Sequence, residues 1–127
     1  MRRLLLAGFG LAVASAAAAP AWAELEPEDF VIDSAQDLVD LCSVPAGNEL
    51  HLQAIHMCHG FATGVTQYAL LWSQENGAAL FCVPEPRPTR NEVIADWISW
   101  MGAHPQYLGD PAPEAVVRFL VESFPCR

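Results

Sequence analysis

The sequence predicts an all-α fold, a compact domain of four helices stapled by two disulfides and preceded by a cleaved signal peptide. Three observations lead to this prediction. Apolar residues recur at helical spacing (i, i+3, i+4, i+7) in several segments, no segment alternates with the period of two that is typical of strands, and four cysteines follow the apolar N-terminal stretch. At 127 residues the chain has room for one domain.

Residues 1–23 have the composition of a secretory signal peptide. Two arginines form a basic start, an apolar run follows, and Ala21-Trp22-Ala23 fits the small-x-small cleavage rule. We therefore expect cleavage between Ala23 and Glu24, which leaves residues 24–127 as the mature domain. The apolar run is short for a membrane span, so we predict export to the periplasm without a membrane anchor.

The charge of the chain restricts its partners. The precursor carries a net charge of −9, and loss of Arg2 and Arg3 takes the mature chain to −9 − 2 = −11, because all fifteen carboxylates lie at or after Glu24. Binding to nucleic acid or to an anionic membrane surface requires clustered basic residues, and the sequence contains no lysine. A basic protein partner is compatible with this charge, and so is a role in solubility alone.

The first two predicted helices surround a turn-rich loop at residues 43–48. Ser34 is the expected N-cap of the first helix, with Asp37 near its positive end and Leu38, Leu41 and Cys42 facing inward. The second helix runs from about Leu50 to between Gln74 and Gly77. Its expected inward face is the set Ile55, Cys58, Ala62, Val65, Ala69 and Trp72.

Two glycines four residues apart lie within this central helix. Glycine costs a helix about 1 kcal/mol relative to alanine, so Gly60 and Gly64 predict a compensating close approach of another helix. Leucine at either position should then impair folding.

The last two helices have clear start signals. Thr89 and Glu92 form a capping box before the stripe that contains Trp97 and Met101, and Gly102–Pro105 ends this third helix. Asp110 is the expected cap of the fourth helix, with Pro111 at its first position. Its expected buried side is Val116, Val117, Phe119, Leu120, Val121 and Phe124.

The four cysteines, Cys42, Cys58, Cys82 and Cys126, allow three disulfide connectivities. If consecutive helices run antiparallel, the end of the first helix lies near the start of the second, and the start of the third lies near the end of the fourth. This geometry favours Cys42–Cys58 and Cys82–Cys126, although a loop that folds back would change either pair.

The sequence contains no enzyme signature. His51, His56, His59 and Cys58 could be read as a metal site, but no carboxylate completes the set and Cys58 is expected in a disulfide. A nucleophilic pair of Cys58 with His59 is disfavoured because adjacent helical residues point apart. We therefore predict a non-enzymatic protein without cofactor or metal.

The large aromatic residues are interpreted mainly as core. They are Trp72, Trp97, Trp100, Phe61, Tyr68 and Phe119, each within a predicted helix. Trp100 lies off the main stripe of the third helix, so an exposed position as an interface anchor is the alternative for that residue.

Several short motifs follow one another in a recognisable order. These are Ala35-Gln36-Asp37-Leu38, Leu41-Cys42, Cys58-x-Gly60-Phe61-x-x-Gly64, Cys82-Val83-Pro84, Thr89, His104-Pro105 and Phe124-Pro125-Cys126. As an ordered set they resemble the Tai/Rap-type immunity proteins of type VI secretion systems. The resemblance implies a periplasmic, all-helical and often dimeric protein that binds and occludes a peptidoglycan amidase effector.

The motif residues resemble fold determinants, so the resemblance carries over no binding site. The loops before Leu50 and at residues 75–88 are the candidate contact surfaces, because they are expected to be exposed and irregular. Two other functions fit a small, exported, disulfide-linked domain. One is an acid-stress periplasmic chaperone, for which the carboxylates and histidines would supply the charge change; the other is an accessory subunit of an envelope complex.

Overall fold

The computed structural model of the protein describes residues 27–127. It contains four α-helices: α1 (Ala35–Cys42), α2 (His51–Asn76), α3 (Arg90–Ala103) and α4 (Ala112–Ser123). Short 3-10 turns occur at Pro27–Phe30 and Pro105–Tyr107, and this part of the chain has no strand, only one isolated bridge between Ser34 and Pro111. The prediction of an all-α domain with four helices is confirmed. The predicted signal peptide and the Ala23–Glu24 cleavage position lie outside the described residues.

The shortest helix, α1, lies at the centre of the domain and contacts α2, α3 and α4. Its inward side chains are fully buried, as predicted for Leu38 and Leu41. The backbone amides of Ala35 and Gln36 donate to the carbonyls of Asp110 and Leu108, both at 2.9 Å. These two donors have no acceptor within their own helix. Carbonyl groups of the connection between α3 and α4 therefore satisfy the first amides of α1.

Capping boxes begin α1 and α3, as predicted. The Asp37 carboxylate accepts from the Ser34 amide at 2.8 Å, and the Ser34 hydroxyl accepts from the Asp37 amide at 3.3 Å. Glu92 and Thr89 form the same pair at α3, with 2.7 Å from the Thr89 amide to the Glu92 carboxylate. These hydrogen bonds, first of all the one from the backbone of the capping residue, lower the pKa of both Asp37 and Glu92.

The start of α4 differs from the prediction. Pro111 takes the N-cap position and makes no side-chain cap, so Asp110 is not the capping acid. The Asp110 carbonyl accepts from α1 instead, and its carboxylate lies 4.0 Å from Arg118. Within α4 the buried side includes Val116, Phe119 and Leu120, but Val121 is 39% exposed and is not part of the core.

Both disulfides have the favoured connectivity, Cys42–Cys58 and Cys82–Cys126. The first joins the end of α1 to α2, and the second joins the connection after α2 to the C-terminus. They close segments with sequence separations of 16 and 44. In the chain-entropy description, bridges of this span stabilise a domain by about 3–4 kcal/mol each.

The long helix α2 has an exposed side that includes two aromatic residues predicted to lie in the core. Tyr68 is 70% and Trp72 39% exposed, so neither is a core residue. Helices of 26 residues and of 14 or 12 residues span about 39 Å and about 20 Å respectively. Because α2 packs mainly against α1 and α4, the side of α2 that faces away from these two helices stays uncovered.

The glycines of α2 lie on this uncovered side. A Cβ atom placed on Gly60 or Gly64 would meet nothing within 4 Å, so the predicted close packing of a helix against them is wrong in the isolated chain. The expectation that leucine at these positions would impair folding is removed for the same reason.

Trp100 is not an exposed anchor. Its ring stacks on His104 at 4.3 Å and on Tyr107 at 5.7 Å, and its indole Nε1 donates to Glu122 at 3.2 Å. Trp97 is buried and lies 5.8 Å from Phe119. The aromatic residues of α3 therefore form a cluster that packs α3 and the following turn against α4.

Asp37→Asn tests the capping box through its pH dependence. The lowered pKa means that the Asp37 carboxylate stabilises the folded state above its ordinary pKa of 3.8, and this stabilisation is lost as the pH falls through the folded pKa. At pH 7 we expect Asp37→Asn to lower the free energy of unfolding by about 1 kcal/mol. Urea unfolding between pH 7 and pH 2 should show the difference from the wild type shrinking below about pH 4.

Asp96→Asn is the matched control. Asp96 is exposed on α3 and has no hydrogen bond or ion pair among residues 27–127, so its loss should leave the free energy of unfolding within about 0.5 kcal/mol of the wild type. A constant difference between Asp37→Asn and the wild type at all pH values would contradict the electrostatic origin of the cap.

Gly60→Ala and Gly64→Ala test the open side of α2. Since a methyl group meets no atom there, each substitution should raise the free energy of unfolding by about 0.5–1 kcal/mol through better helix propensity. Urea unfolding in dilute solution measures this. Gly77→Ala should do the opposite, because Gly77 ends α2 at φ 64°, where a Cβ atom costs about 1–2 kcal/mol. A loss of stability in Gly60→Ala would show that this side is covered.

Candidate functional site

A cleft of about 310 Å3 opens between α2, the connection at residues 77–89, α3 and the end of α4. We call it the arginine cleft, after two side chains at its edge. Its floor is apolar and includes Phe81, Ile94 and Leu120, which are buried, and Phe124, which is half-buried. A volume of this size is at the lower end of the range for small binding pockets.

Local interactions hold the walls of the cleft in place. The Cys82 amide donates to the Phe124 carbonyl at 2.8 Å, next to the Cys82–Cys126 bridge. The Leu80 amide donates to the hydroxyl of Ser73 on α2 at 3.1 Å. The connection is thus attached at its start to α2 and to the C-terminus, and at its end to α3 through the Thr89 cap.

The edge of the cleft carries two cations, Arg87 and Arg90. Both are exposed, and the ion pairs in the described part of the chain involve neither of them; those pairs join Arg118 to Glu114 at 2.8 Å and to Asp110 at 4.0 Å. Arg90 is the first residue of α3. A helix N-terminus already carries positive partial charge, so both guanidinium groups and the helix end contribute positive potential at one edge.

One wall of the cleft is a row of side chains on α2, namely His59, Thr63 and Gln67. Their i, i+4, i+8 spacing places them along one helix face. The Nε2 atom of His59 is buried and has no hydrogen-bond partner among residues 27–127. The cleft therefore combines an apolar floor, a polar wall and a positively charged edge.

A second surface lies on the other side of α2. We call it the neutral face and define it by Met57, Gly60, Gly64, Tyr68 and Leu71, all of them exposed. The segment His51–Gln74 contains no Asp, Glu, Lys or Arg, although the whole chain has fifteen carboxylates. A shallow groove continues the neutral face towards α4 and is lined by Gly64, Val65, Tyr68, Pro113, Glu114 and Val117.

The histidines considered as metal ligands are not brought together with further ligands. His51 Nδ1 lies 2.8 Å from the carbonyl of Val44, His56 is exposed, and Cys58 is in a disulfide. Within residues 27–127 no three His, Cys, Asp or Glu side chains cluster as a metal site would require. No free thiol remains at the four cysteines, so the nucleophilic pairing of Cys58 with His59 has no basis.

Sequence reasoning identified the loop at residues 75–88 as a candidate contact surface but missed Arg87 and Arg90. A signal was available, because these are the two arginines between Arg3 and Arg118, they are three residues apart, and Arg87 lies between two prolines. The loop before α2 is compact: the Asn48 side chain accepts from the Leu50 amide at 2.8 Å, and the Asn48 amide donates to Pro45 at 2.9 Å.

The fold and the disulfides define a small, disulfide-linked helical domain. No helix in the described part of the chain is long and apolar enough to cross a bilayer. The family model of the Rap1a immunity proteins matches residues 34–126, and the chain belongs to this family. Comparisons with curated proteins and with solved structures gave no significant match.

Membership of this family indicates a general function. Immunity proteins bind effector proteins, and the family is generally non-enzymatic. The two disulfides are consistent with an exported protein.

Proposed function

We propose that this protein is a periplasmic immunity protein that binds and occludes a peptidoglycan amidase delivered by a type VI secretion system. The observation that carries the proposal is the family match over residues 34–126. The motif order from Ala35-Gln36-Asp37-Leu38 to Phe124-Pro125-Cys126 supports the Tai/Rap-type specificity. The N-terminal sequence supports export, with cleavage between Ala23 and Glu24 and residues 24–127 as the mature domain.

The charge of the mature chain supports a basic effector surface. A protein of net charge −11, from −9 − 2, attracts a basic partner at long range and accelerates association. The contact surfaces that we propose are the loop before Leu50 and the connection at residues 75–88, which includes the edge of the arginine cleft. The first leads into the start of α2 and the second follows its end.

Binding to an amidase encoded next to this chain tests the proposal. Protein recovered from the periplasm should begin at Glu24 by intact mass, bind the amidase with a nanomolar Kd in calorimetry, and abolish its release of peptides from peptidoglycan. The association rate should fall severalfold between low and physiological salt because the attraction is screened. Absence of binding to any amidase encoded beside it would sink the proposal.

We further propose that the protein forms a homodimer through the neutral face. Two copies that each carry strong negative charge repel each other, and a contact surface free of like charge avoids adding short-range repulsion to this. The neutral face is the uncharged side of the longest helix, and Tyr68 and Leu71 there are 70% and 49% exposed. Gly60 and Gly64 leave room for a second helix to approach it.

Tyr68→Glu tests the dimer. A carboxylate on the neutral face would meet its copy across a two-fold contact, so the dimer should dissociate at least tenfold more readily. Sedimentation over a range of concentrations measures the dissociation constant. The control Val31→Glu introduces the same charge at an apolar residue that is 58% exposed and lies before α1, outside the neutral face, and it should leave the dimer intact. A wild type that stays monomeric at high micromolar concentration would refute the dimer.

A further inference from the structure

We propose that the arginine cleft binds an acidic-apolar segment of the protein partner, with an apolar side chain on the Phe81 and Ile94 floor and an adjacent carboxylate between Arg87 and Arg90. The inference rests on the proposed function in that it takes the effector to be this partner. The inference adds to the long-range charge attraction a specific requirement, namely an apolar side chain with an adjacent carboxylate on the partner.

The floor sets the size of the apolar group. The cleft measures about 310 Å3, and buried or half-buried apolar side chains from the connection, α3 and α4 meet there. Pockets for whole drug-sized ligands extend to about 1,000 Å3, so this cleft fits one large side chain or two small ones. A single apolar anchor in a pocket at the centre of a polar surface is the usual form of an energetic hot spot.

The edge sets the charge of the neighbouring group. Arg90 is at the first position of α3, where a cation is locally unfavourable because of the helix dipole. Neither Arg90 nor Arg87 has an ion-pair partner in residues 27–127, although Glu85 and Glu92 are close in sequence and Glu92 is engaged by the Thr89 cap. Two unpaired guanidinium groups at one edge are suited to a carboxylate, which each can bind through two parallel hydrogen bonds.

The polar wall suits a peptide. His59, Thr63 and Gln67 follow the cleft along α2, and the hydroxyl of half-buried Thr63 and the side-chain amide of exposed Gln67 are able to donate and accept hydrogen bonds there. Such groups can satisfy the backbone of a bound segment while its side chain fills the floor. Anionic phospholipid offers a similar headgroup charge, but the mature chain of net charge −9 − 2 = −11 is repelled by an anionic surface.

A matched pair of probes tests the chemistry of the cleft without the effector. N-acetyl-Phe-Asp-amide should shift the methyl resonances of Ile94, Val93 and Leu120 in the mature protein. N-acetyl-Phe-Asn-amide, which has the same shape without the charge, should bind at least tenfold more weakly. Binding of the acidic probe should also weaken with salt. Equal binding of the two probes, shifts elsewhere, or no shifts would each overturn the proposal.

Substitutions test the cleft inference separately from the proposed immunity function. R87A/R90A should abolish the preference for the acidic probe and weaken amidase binding at least tenfold with unchanged Tm, whereas R127A, an exposed arginine outside the cleft, should change neither. If R87A/R90A binds the amidase as the wild type does, the cleft inference fails and the immunity function stands.

If the wild type binds the acidic probe but no amidase, the proposed function fails and the cleft chemistry stands. Arg87-dependent co-sedimentation with phosphatidylglycerol vesicles would assign the cleft to lipid and overturn the inference.

Discussion

The attachment of α1 at both ends is the constraint on which the rest of the structure depends. At its start, the amides of Ala35 and Gln36 donate to carbonyls of the connection between α3 and α4, and the Ala112 amide donates back to Asp33 at 3.1 Å. At its end, Cys42 is bonded to Cys58 of α2. An isolated helix of eight residues is unstable in water. The helix α1 is therefore stabilised by the hydrogen bonds at its start and the disulfide at its end. In return it provides the buried surface on which the three longer helices pack.

This arrangement explains why α2 can carry two different surfaces. One side of the helix packs on α1 and α4, with Ala54, Cys58 and Ala69 buried. The faces of α2 that do not pack on α1 or α4 carry both the neutral face and the polar wall of the arginine cleft. Charge is almost absent from this helix and abundant elsewhere. Its surfaces therefore differ from the surrounding molecule in electrostatics as well as in shape.

The arginine cleft shows how a strongly acidic protein can present a local positive site. Arg118 is neutralised by Glu114 and Asp110 and its guanidinium lies 4.5 Å over the ring of Tyr107, so it supports α4. Within residues 27–127, Arg87 and Arg90 have no such partners at the edge of an apolar floor. Long-range attraction to a basic partner and a short-range requirement for a carboxylate are compatible, because the first depends on net charge and the second on the geometry of two side chains.

The sequence by itself determined the features that depend on neighbours within one turn or on a simple helical period. These include the Ser34–Asp37 and Thr89–Glu92 caps and the inward faces of α1 and α3. The sequence also favoured the two disulfide pairs, on the assumption that consecutive helices are antiparallel, and the structure selected them from three connectivities. The tertiary structure decided which side of α2 is covered, because apolar residues surround that helix and the packing of α1 and α4 against it selects among them. It also placed Trp100 in an aromatic stack, moved the start of α4 past Asp110, and brought Arg87 and Arg90 to one cleft. The covered side of α2, the start of α4 and the walls of the cleft depend on contacts between segments distant in the chain, which no local pattern encodes.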